Sequence, residues 1–250
     1  QKRIDPIYSA YTGSKFTNEE IEIFLKSKKI NYTRLEDDEL FDKIVEKLIE
    51  PGVVGWFSGR AEFGPRALGG RSIIADPRSS KMQKQLNLKV KYRESFRPFA
   101  PSVLREDLTE WFEQDIDSPY MLLVADVQKS KRLSMTAEEQ KLFGIEKLNV
   151  PRSEIPAVTH VDYSARVQTI HQETNPRYYA LSKRFKELTG CPIIVNTSFN
   201  VRGEPIICTP EDAFRCFMRT DIEVLVVGNC YLVKDDQPSH LIDKTTFDLD

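Results

Sequence analysis

Three arginines stand in a glycine-rich stretch between two apolar segments, where their side chains are suited to binding an anion. The stretch covers residues 55–77 and reads GWFSGRAEFGPRALGGRSIIADP. Its arginines are Arg60, Arg66 and Arg71. Glycine lets the backbone adopt positive φ and approach a ligand closely, and a guanidinium group pairs with phosphate or carboxylate oxygens through a planar fork. The pattern favours an anion-binding loop between two buried strands. The alternative is a tight loop whose arginines are solvated or pair with Glu62 and Asp76.

A second cluster of cations lies in the segment VKYRESFRPFAPSVL, residues 90–104. Lys91 and Arg93 are two residues apart, so on an extended backbone they project from the same side. Arg97 precedes a proline, which biases it toward an extended conformation. Three cations among aromatic residues favour a partly buried segment that needs an anion to neutralise it. The alternative is a solvated face that pairs with Glu94.

Polar residues alternate with apolar ones in the segment HVDYSARVQ, residues 160–168, so that several of them can share one face. His160 and Asp162 could both bind a metal, but two candidate ligands do not make a site. A hydrogen-bonded core histidine is the slightly favoured interpretation of His160. Arg166 is the better functional candidate of this group.

Ser198 and Asn200 follow an apolar strand, residues 192–195, at the start of a loop. Their side chains can hydrogen-bond a phosphate or a ribose. Turn formation alone also explains a serine and an asparagine at such a junction, so this pattern taken singly is weak.

Composition limits the classes of function. The 250 residues carry a formal net charge of −2, yet residues 58–105 contain eleven Lys and Arg against three acids. This asymmetry indicates a local anionic ligand, with a basic patch for nucleic acid as the main competitor. No Walker A or GxGxxG pattern is present, so a phosphate site would be built from scattered arginines.

Cysteine and histidine spacing bears on compartment and metals. The four cysteines are not arranged as CxxC pairs, and the three histidines form no HExxH motif. This favours a reduced, cytoplasmic interior over a disulfide scaffold or a zinc site. The sequence contains no run of eighteen apolar residues that would predict a membrane span.

Strands and helices alternate along the chain, which predicts an α/β fold with a mixed sheet flanked by helices. A capping box beginning at Thr17 predicts the first helix. The apolar segment 120–127 predicts a central strand, and segments 155–161 and 165–170 predict two short strands. The charged segment 128–153 predicts a surface insertion.

Four segments together resemble a known family. GRAEFGPRALGGRSI, KYRESFRPFAPSV, AVTHVDYSARVQT and NTSFNVRGEPI resemble the C-terminal half of the carbamoyltransferases of antibiotic and nodulation-factor biosynthesis, such as the tobramycin and cephamycin O-carbamoyltransferases and the NodU proteins. The resemblance implies a YrdC-like domain, a twisted mixed sheet flanked by helices, over residues 38–234. Relative to the usual pattern of that domain, residues 128–153 would be an insertion. Residues 1–37 would connect to an absent N-terminal domain of the actin and Hsp70-like superfold, and residues 235–250 form a polar tail.

The resemblance also implies an activity. Such a domain joins carbamoyl phosphate to ATP, giving carbamoyladenylate, pyrophosphate and phosphate, and the N-terminal domain transfers the carbamoyl group to a small-molecule hydroxyl acceptor. Mg²⁺ would arrive with ATP, bound by phosphates and water rather than by a dedicated protein site. Neither nucleic acid nor a membrane is an expected partner, and a homodimer is possible. The alternatives are an RNA-binding or a nucleotide-sensing YrdC-like module.

Residues that match the family's K-x-R and S-x-N motifs are Lys91 with Arg93 and Ser198 with Asn200. The predicted catalytic residues are Lys91, Arg97 and Arg166. The predicted substrate and nucleotide ligands are Arg66, Arg71, Arg93, Ser198 and Asn200. We expect Arg66, Lys91, Arg97, Arg166 and Ser198 to line one concave pocket, although they are distant in the sequence.

Overall fold

Nine strands form one sheet within residues 9–241, which the computed structural model describes apart from the side chains of residues 145 and 148. The strands are β1 (Thr33–Arg34), β2 (Val54–Phe57), β3 (Arg71–Ala75), β4 (Ala100–Leu104), β5 (Leu123–Asp126), β6 (Ser164–Ile170), β7 (Ile193–Ser198), β8 (Val224–Val227) and β9 (Cys230–Val233). Their order across the sheet is β1-β9-β8-β2-β3-β7-β4-β6-β5. The pairs β2–β8 and β4–β6 are parallel, and the other neighbours are antiparallel.

The sheet is flanked by helices, so the predicted α/β architecture with a mixed sheet is confirmed. The helices are α1 (Asn18–Ser27), α2 (Asp37–Ile49), α3 (Met82–Leu86), α4 (Leu108–Trp111), α5 (Ala137–Gln140), α6 (Gly144–Leu148), α7 (Pro176–Thr189) and α8 (Pro210–Arg219). Helix α7 packs on α2 and on strands β4 and β7, and α8 packs on β2 and β8. A π-helical turn, Asn87–Lys91, continues directly from α3.

Three of the four longer helices, α1, α7 and α8, begin at residues whose side chains cap them. Thr17 Oγ1 accepts the backbone N–H of Glu20, and the Glu20 carboxylate accepts the N–H of Thr17. This is the predicted capping box. Asn175 caps α7, which starts at Pro176 and ends before Gly190 at φ 75°. Local sequence therefore accounts for the bounds of these helices.

Strand β5 lies at the end of the sheet, so the prediction of a central strand at 120–127 is wrong. Leu123 and Val124 are 41% and 64% exposed. A short apolar run does not reveal by itself how many neighbours will cover it. The predicted strand at 155–161 is also wrong, since Pro156–Val158 form a 3₁₀ turn, in keeping with a proline that cannot donate to a strand ladder.

The segment that precedes residue 38 packs against the same core as the sheet. Ile21, Leu25 and Leu35 are buried in that core, and β1 pairs with β9 at one end of the sheet. Residues 1–8 of the predicted connecting segment lie outside the described residues, and a connection to a further domain stays a prediction.

The charged segment 128–153 contains the short helices α5 and α6, a 3₁₀ turn, and an isolated β-bridge between Arg132 and Ser153. Most of its side chains are exposed, but Arg152 and Ser153 are buried. At the other end of the chain, Gln237 is buried and its amide donates to the carbonyls of Asn31 and Val233. The predicted polar tail is therefore packed at its start, and residues 242–250 lie outside the described part.

None of the helices between residues 9 and 241 combines the length and the apolar character that crossing a membrane requires.

Candidate functional site

One face of the sheet carries a row of polar side chains on neighbouring strands. The register places Ser102 of β4 opposite Gln168 of β6, and Ala100 of β4 opposite Asn196 of β7. Because alternate residues of a strand point to the same face, Ser102, Gln168 and Asn196 lie together. Ser102 Oγ donates to Gln168 Oε1, which also accepts from Asn196 Nδ2 at 2.7 Å. All three residues are buried, so these hydrogen bonds hold the side chains in defined orientations.

The loop between β2 and β3, residues 58–70, is named the arginine loop here. Glu62 Oε1 accepts the backbone N–H groups of Leu68 at 2.7 Å and Gly70 at 2.6 Å, so the carboxylate holds the end of the loop in a turn. Gln168 Nε2 donates to the Leu68 carbonyl at 2.8 Å, and Asn196 Nδ2 donates to the carbonyl of Ala67 at 3.1 Å. The polar row thus fastens the arginine loop onto the sheet.

Gly69 allows the arginine loop to approach α7 closely. Its φ is +103°, and a Cβ placed there would lie 2.3 Å from the Cδ1 atom of Tyr178. Its carbonyl accepts from Trp56 Nε1 at 2.8 Å. A side chain would be strained both by the backbone angle and by the contact, so this position requires glycine.

A cavity of about 150 Å³ lies between the arginine loop and the polar face of the sheet. Its lining consists of Pro65, Arg66, Ala67, Arg93, Pro98, Phe99, Ala100, Met121, Arg166, Asn196, Thr197 and Ser198. The volume is many times the about 10–15 Å³ that one water molecule needs, and it suits an anion of several atoms. Four predicted site residues, Arg66, Arg93, Arg166 and Ser198, therefore come together at one cavity.

The cavity has a marked positive electrostatic character. The Nε atoms of Arg66 and Arg166 are buried and have no hydrogen-bond partner within the described part of the chain. Burial, and then the charge of Arg66, lowers the pKa of Arg166. None of the cavity's lining residues, all within 9–241, is a carboxylate. Two partly buried cations without a neighbouring counterion favour the binding of an anion.

Arg93 lines the cavity and is held there by two contacts. Its Nε donates to Asn87 Oδ1 at 2.7 Å, and its guanidinium carbon lies 5.0 Å from the centre of the Phe99 ring. Burial, followed by the charge of Arg97, lowers the pKa of Arg93 to about 10. The remaining N–H groups of this guanidinium are donors suited to an anion in the cavity.

Lys91 ties the two predicted motifs together instead of lining the cavity. Its ammonium donates to Asn200 Oδ1 and to the Asn200 carbonyl, both at 2.9 Å, and to the carbonyl of Ser198. Ser198 Oγ donates to Asn200 Oδ1 at 2.6 Å. Burial lowers the pKa of Lys91 to about 7, although its partners are acceptors that stabilise the ammonium form. The cluster fixes the end of β7 beside the cavity.

Arg97, like Lys91, lies outside the predicted shared pocket, and Arg71, which was predicted as a ligand, does not line the cavity either. Arg97 does not line the cavity; its side chain is 48% exposed and pairs with Glu94 at 2.9 Å, as the solvated alternative anticipated. Arg71 is buried, and its guanidinium donates to the carbonyls of residues 14, 58, 59 and 70 and stacks on Phe57. These contacts give Arg71 a structural task, and direct binding of a ligand by either arginine stays a prediction.

Asn196 and Met121 line the cavity but were not among the predicted site residues, and Gln168, which the alternating pattern places on the face of Arg166, supports the arginine loop. Asn196 directly follows the apolar run CPIIV. A polar residue that continues a buried strand is a signal that could have revealed it. Met121 has no comparable signal, because its place on the cavity depends on how the chain before β5 crosses the sheet.

Metal ligands are not concentrated at this site. Within residues 9–241, no group of three or more His, Cys, Asp or Glu residues is arranged to hold a metal ion. His160 is half-buried, and burial lowers its pKa. The carboxylate of Asp162 accepts from Ser164. The residues at the cavity fit Mg²⁺ only as a companion of bound phosphates, which would supply its ligands together with water.

Comparison with known proteins shows the family to which the chain belongs. The family model described as "Carbamoyltransferase C-terminus" matches residues 45–234, a range that contains the arginine loop, the polar row and the Lys91 cluster. The chain belongs to this carbamoyltransferase C-terminal family.

Three relatives are a nodulation protein, an O-carbamoyltransferase and an uncharacterised protein. The chain is 40% identical over 224 residues to the nodulation protein NolO of Bradyrhizobium diazoefficiens, covering 87% of this chain and 37% of NolO. It is 36% identical over 190 residues to the 3′-hydroxymethylcephem-O-carbamoyltransferase of Amycolatopsis lactamdurans, covering 76% of this chain and 32% of that enzyme. An uncharacterised protein of Synechocystis sp. is 60% identical over 239 residues, covering 95% of this chain and 39% of its own length. The chain thus spans about two fifths or less of these relatives.

Among solved structures, full-length HypF in its phosphate- and nucleotide-bound form superposes with a TM-score of 0.47 and 17% sequence identity, covering 81% of this chain and 22% of HypF. A likeness of this size supports no statement about ligands.

Proposed function

We propose that this chain binds ATP and carbamoyl phosphate at the arginine-lined cavity and forms carbamoyladenylate, which a separate N-terminal domain uses to carbamoylate a hydroxyl acceptor. The observation that carries the proposal is the pair Arg66 and Arg166, whose buried Nε atoms have no partner among residues 9–241 on a cavity without a lining carboxylate. Membership of the carbamoyltransferase C-terminal family supports the substrate class.

The electrostatics favour a phosphorylated ligand. Two partly desolvated guanidinium groups repel each other, and a bound anion relieves that repulsion. The oxygens of a phosphate group match the planar fork of a guanidinium. A cavity of about 150 Å³ is of a size for a phosphate-containing group of several atoms rather than for a whole nucleotide. The nucleoside of ATP would therefore extend outward from the cavity.

The proposed reaction balances with one molecule of water. Carbamoyl phosphate, ATP and water give carbamoyladenylate, phosphate and pyrophosphate. A carbamate oxygen forms the new bond to the α-phosphorus of ATP as the bond to pyrophosphate breaks, and water takes up the phosphoryl group of carbamoyl phosphate. Such transfers depend mainly on positioning and on neutralising developing charge. Arg66, Arg93 and Arg166 supply that charge, and the Lys91 cluster holds Ser198 at the edge of the cavity.

Pyrophosphate release tests the proposal. We expect the chain, supplied with ATP, Mg²⁺ and carbamoyl phosphate, to release pyrophosphate only when carbamoyl phosphate is present, and not to carbamoylate an acceptor by itself. Arg66→Ala should reduce that release about ten-fold or more. Arg60→Ala is the matched control, since Arg60 lies on the same loop but donates to the Gly13 carbonyl and does not line the cavity.

Three results would contradict the proposal. Absence of any ATP binding would remove the nucleotide site. Acceptor carbamoylation by the chain alone would overturn the division of labour between domains. RNA binding that weakens steeply with salt, combined with no effect of Arg66→Ala on nucleotides, would favour the RNA-binding alternative.

A further inference from the structure

Asn196 is a buried residue on the cavity with one unused hydrogen-bonding atom. It is 1% exposed and lines the cavity together with Arg66 and Arg166. Its Nδ2 donates to the Ala67 carbonyl at 3.1 Å and to Gln168 Oε1 at 2.7 Å. Its Oδ1 is buried and accepts no hydrogen bond from any residue between 9 and 241. An unpaired buried carbonyl oxygen is costly and calls for a donor.

The orientation of the Asn196 amide follows from its neighbours. The Ala67 carbonyl can only accept, so the atom facing it must be the NH₂ group. Gln168 is oriented independently, because its Nε2 donates to the Leu68 carbonyl at 2.8 Å and its Oε1 accepts from Ser102 Oγ. Turning the Asn196 amide over would place its oxygen against two other oxygens. Oδ1 is therefore the free acceptor of this network.

An acceptor contrasts with the other polar groups of the cavity. The guanidinium groups of Arg66, Arg93 and Arg166 are donors only, which suits phosphate oxygens. Ser198 Oγ gives its proton to Asn200 Oδ1, and the hydroxyl groups of Ser198 and Thr197, which both line the cavity, are not committed acceptors as an amide oxygen is, because they can also donate. A carbamoyl group differs from other small acyl groups in carrying an NH₂, whose N–H bonds need an acceptor.

We propose that Asn196 Oδ1 accepts an N–H of the carbamoyl amino group and so selects carbamoyl phosphate over acyl phosphates that lack this group. This inference rests on the proposed function and deepens it. The arginines bind the phosphate group, and Asn196 recognises the carbamoyl group. A ligand with a methyl group at the same place leaves Oδ1 buried and unpaired, and sites built to hydrogen-bond a ligand group reject analogues without it.

Carbamoyl phosphate and acetyl phosphate form the test pair, because a methyl group replaces the amino group with little change in size. We expect the wild-type chain to bind carbamoyl phosphate about ten-fold or more tightly than acetyl phosphate in a competition assay. Asn196→Ala should bring the two affinities within about two-fold of each other, and the affinity for inorganic phosphate, measured in parallel, reports any loss that comes from loosening the arginine loop.

Ser102→Ala is the matched control. It removes one hydrogen bond from the same buried network but leaves Asn196 Oδ1 in place, so the preference for carbamoyl phosphate should survive. If both variants lose the preference equally, Asn196 acts only by supporting the loop and the inference fails. The same conclusion follows if Asn196→Ala retains the full preference.

Measurements on the wild-type chain test the role of Asn196 even if Asn196→Ala does not fold. Equal affinities for carbamoyl and acetyl phosphate in the wild type would overturn the role of Asn196 while leaving the phosphate site intact. Failure of carbamoyl, acetyl and inorganic phosphate alike to bind would instead overturn the proposed function, and the inference with it.

Discussion

Replacing Arg166 by Gln should separate the anion affinity of the cavity from the stability of the fold. Arg166 lines the cavity, its buried Nε has no partner within residues 9–241, and burial together with the charge of Arg66 lowers its pKa. The cationic form is thus disfavoured in the anion-free protein. Glutamine removes the charge and keeps a polar side chain. We therefore expect anion-free Arg166→Gln to unfold at the same temperature as the wild type or at a higher one.

The anion-bound state should respond in the opposite direction. A hydrogen bond to a charged group contributes about 1.5–3 kcal/mol, so losing one weakens binding roughly ten- to a hundred-fold. An anion at about 100 times its dissociation constant stabilises the wild type by about 2.7 kcal/mol, which is about 5–10 °C for a chain of this size. With about fifty-fold weaker binding the same concentration gives about 0.6 kcal/mol, or about 1–3 °C.

Thermal unfolding with and without carbamoyl phosphate measures both effects. Arg215→Gln is the charge-matched control, because Arg215 is 59% exposed and pairs with Asp212 at 2.8 Å on α8; it should keep the full wild-type shift. An Arg166→Gln variant that still shows the full shift would remove Arg166 from the site. A fall of several degrees in the anion-free melting temperature would show that Arg166 is structural.

Further predictions concern pH, the loop and the charged segment. Because the pKa of Lys91 is about 7, its ammonium is present below that pH and lost above it. Affinity for sulfate, which does not titrate here, should fall by about two- to five-fold from pH 7 to 8.5, because the charge that is lost lies beside the cavity and makes no direct contact, and Lys91→Arg should flatten that dependence. Arg71→Met should cost about 2–4 kcal/mol in urea unfolding, since several carbonyls lose their donor, and should leave sulfate affinity within about two-fold. Gly69→Ala should cost about 2 kcal/mol or more in the same assay, because its Cβ would meet Tyr178. Backbone amides of segment 128–153 should exchange hydrogen faster than those of β7.

Three contrary outcomes would change these assignments. Equal pH dependence in Lys91→Arg would assign the titration to another group. Lost sulfate affinity with unchanged stability in Arg71→Met would make Arg71 a ligand, as first predicted from sequence. Protection of segment 128–153 equal to that of β7 would show that it is part of the core rather than an insertion.

The sequence predicted local elements well where the signal is itself local. Capping residues and prolines at Thr17 and Pro176 act within one helical turn, and the helices begin there. The misplacement of a central strand concerns an element whose character depends on distant neighbours. The apolar segment 120–127 reads as central, but the sheet order leaves β5 at an edge, and an edge strand has only one neighbour to cover it.

The sequence by itself also determined that cationic side chains are concentrated between residues 58 and 105, because charge and residue type need no fold to be counted. Only the tertiary structure decided which cations, from this region and from elsewhere in the chain, share a cavity. Arg66 and Arg166 meet there because the polar row on β4, β6 and β7 fastens the arginine loop over the sheet. Arg71, directly after the same loop, instead donates to backbone carbonyl oxygens, and Arg97 is paired with Glu94. A guanidinium group binds whichever acceptors the fold brings within reach, and those partners come from segments that its own sequence neighbourhood does not specify.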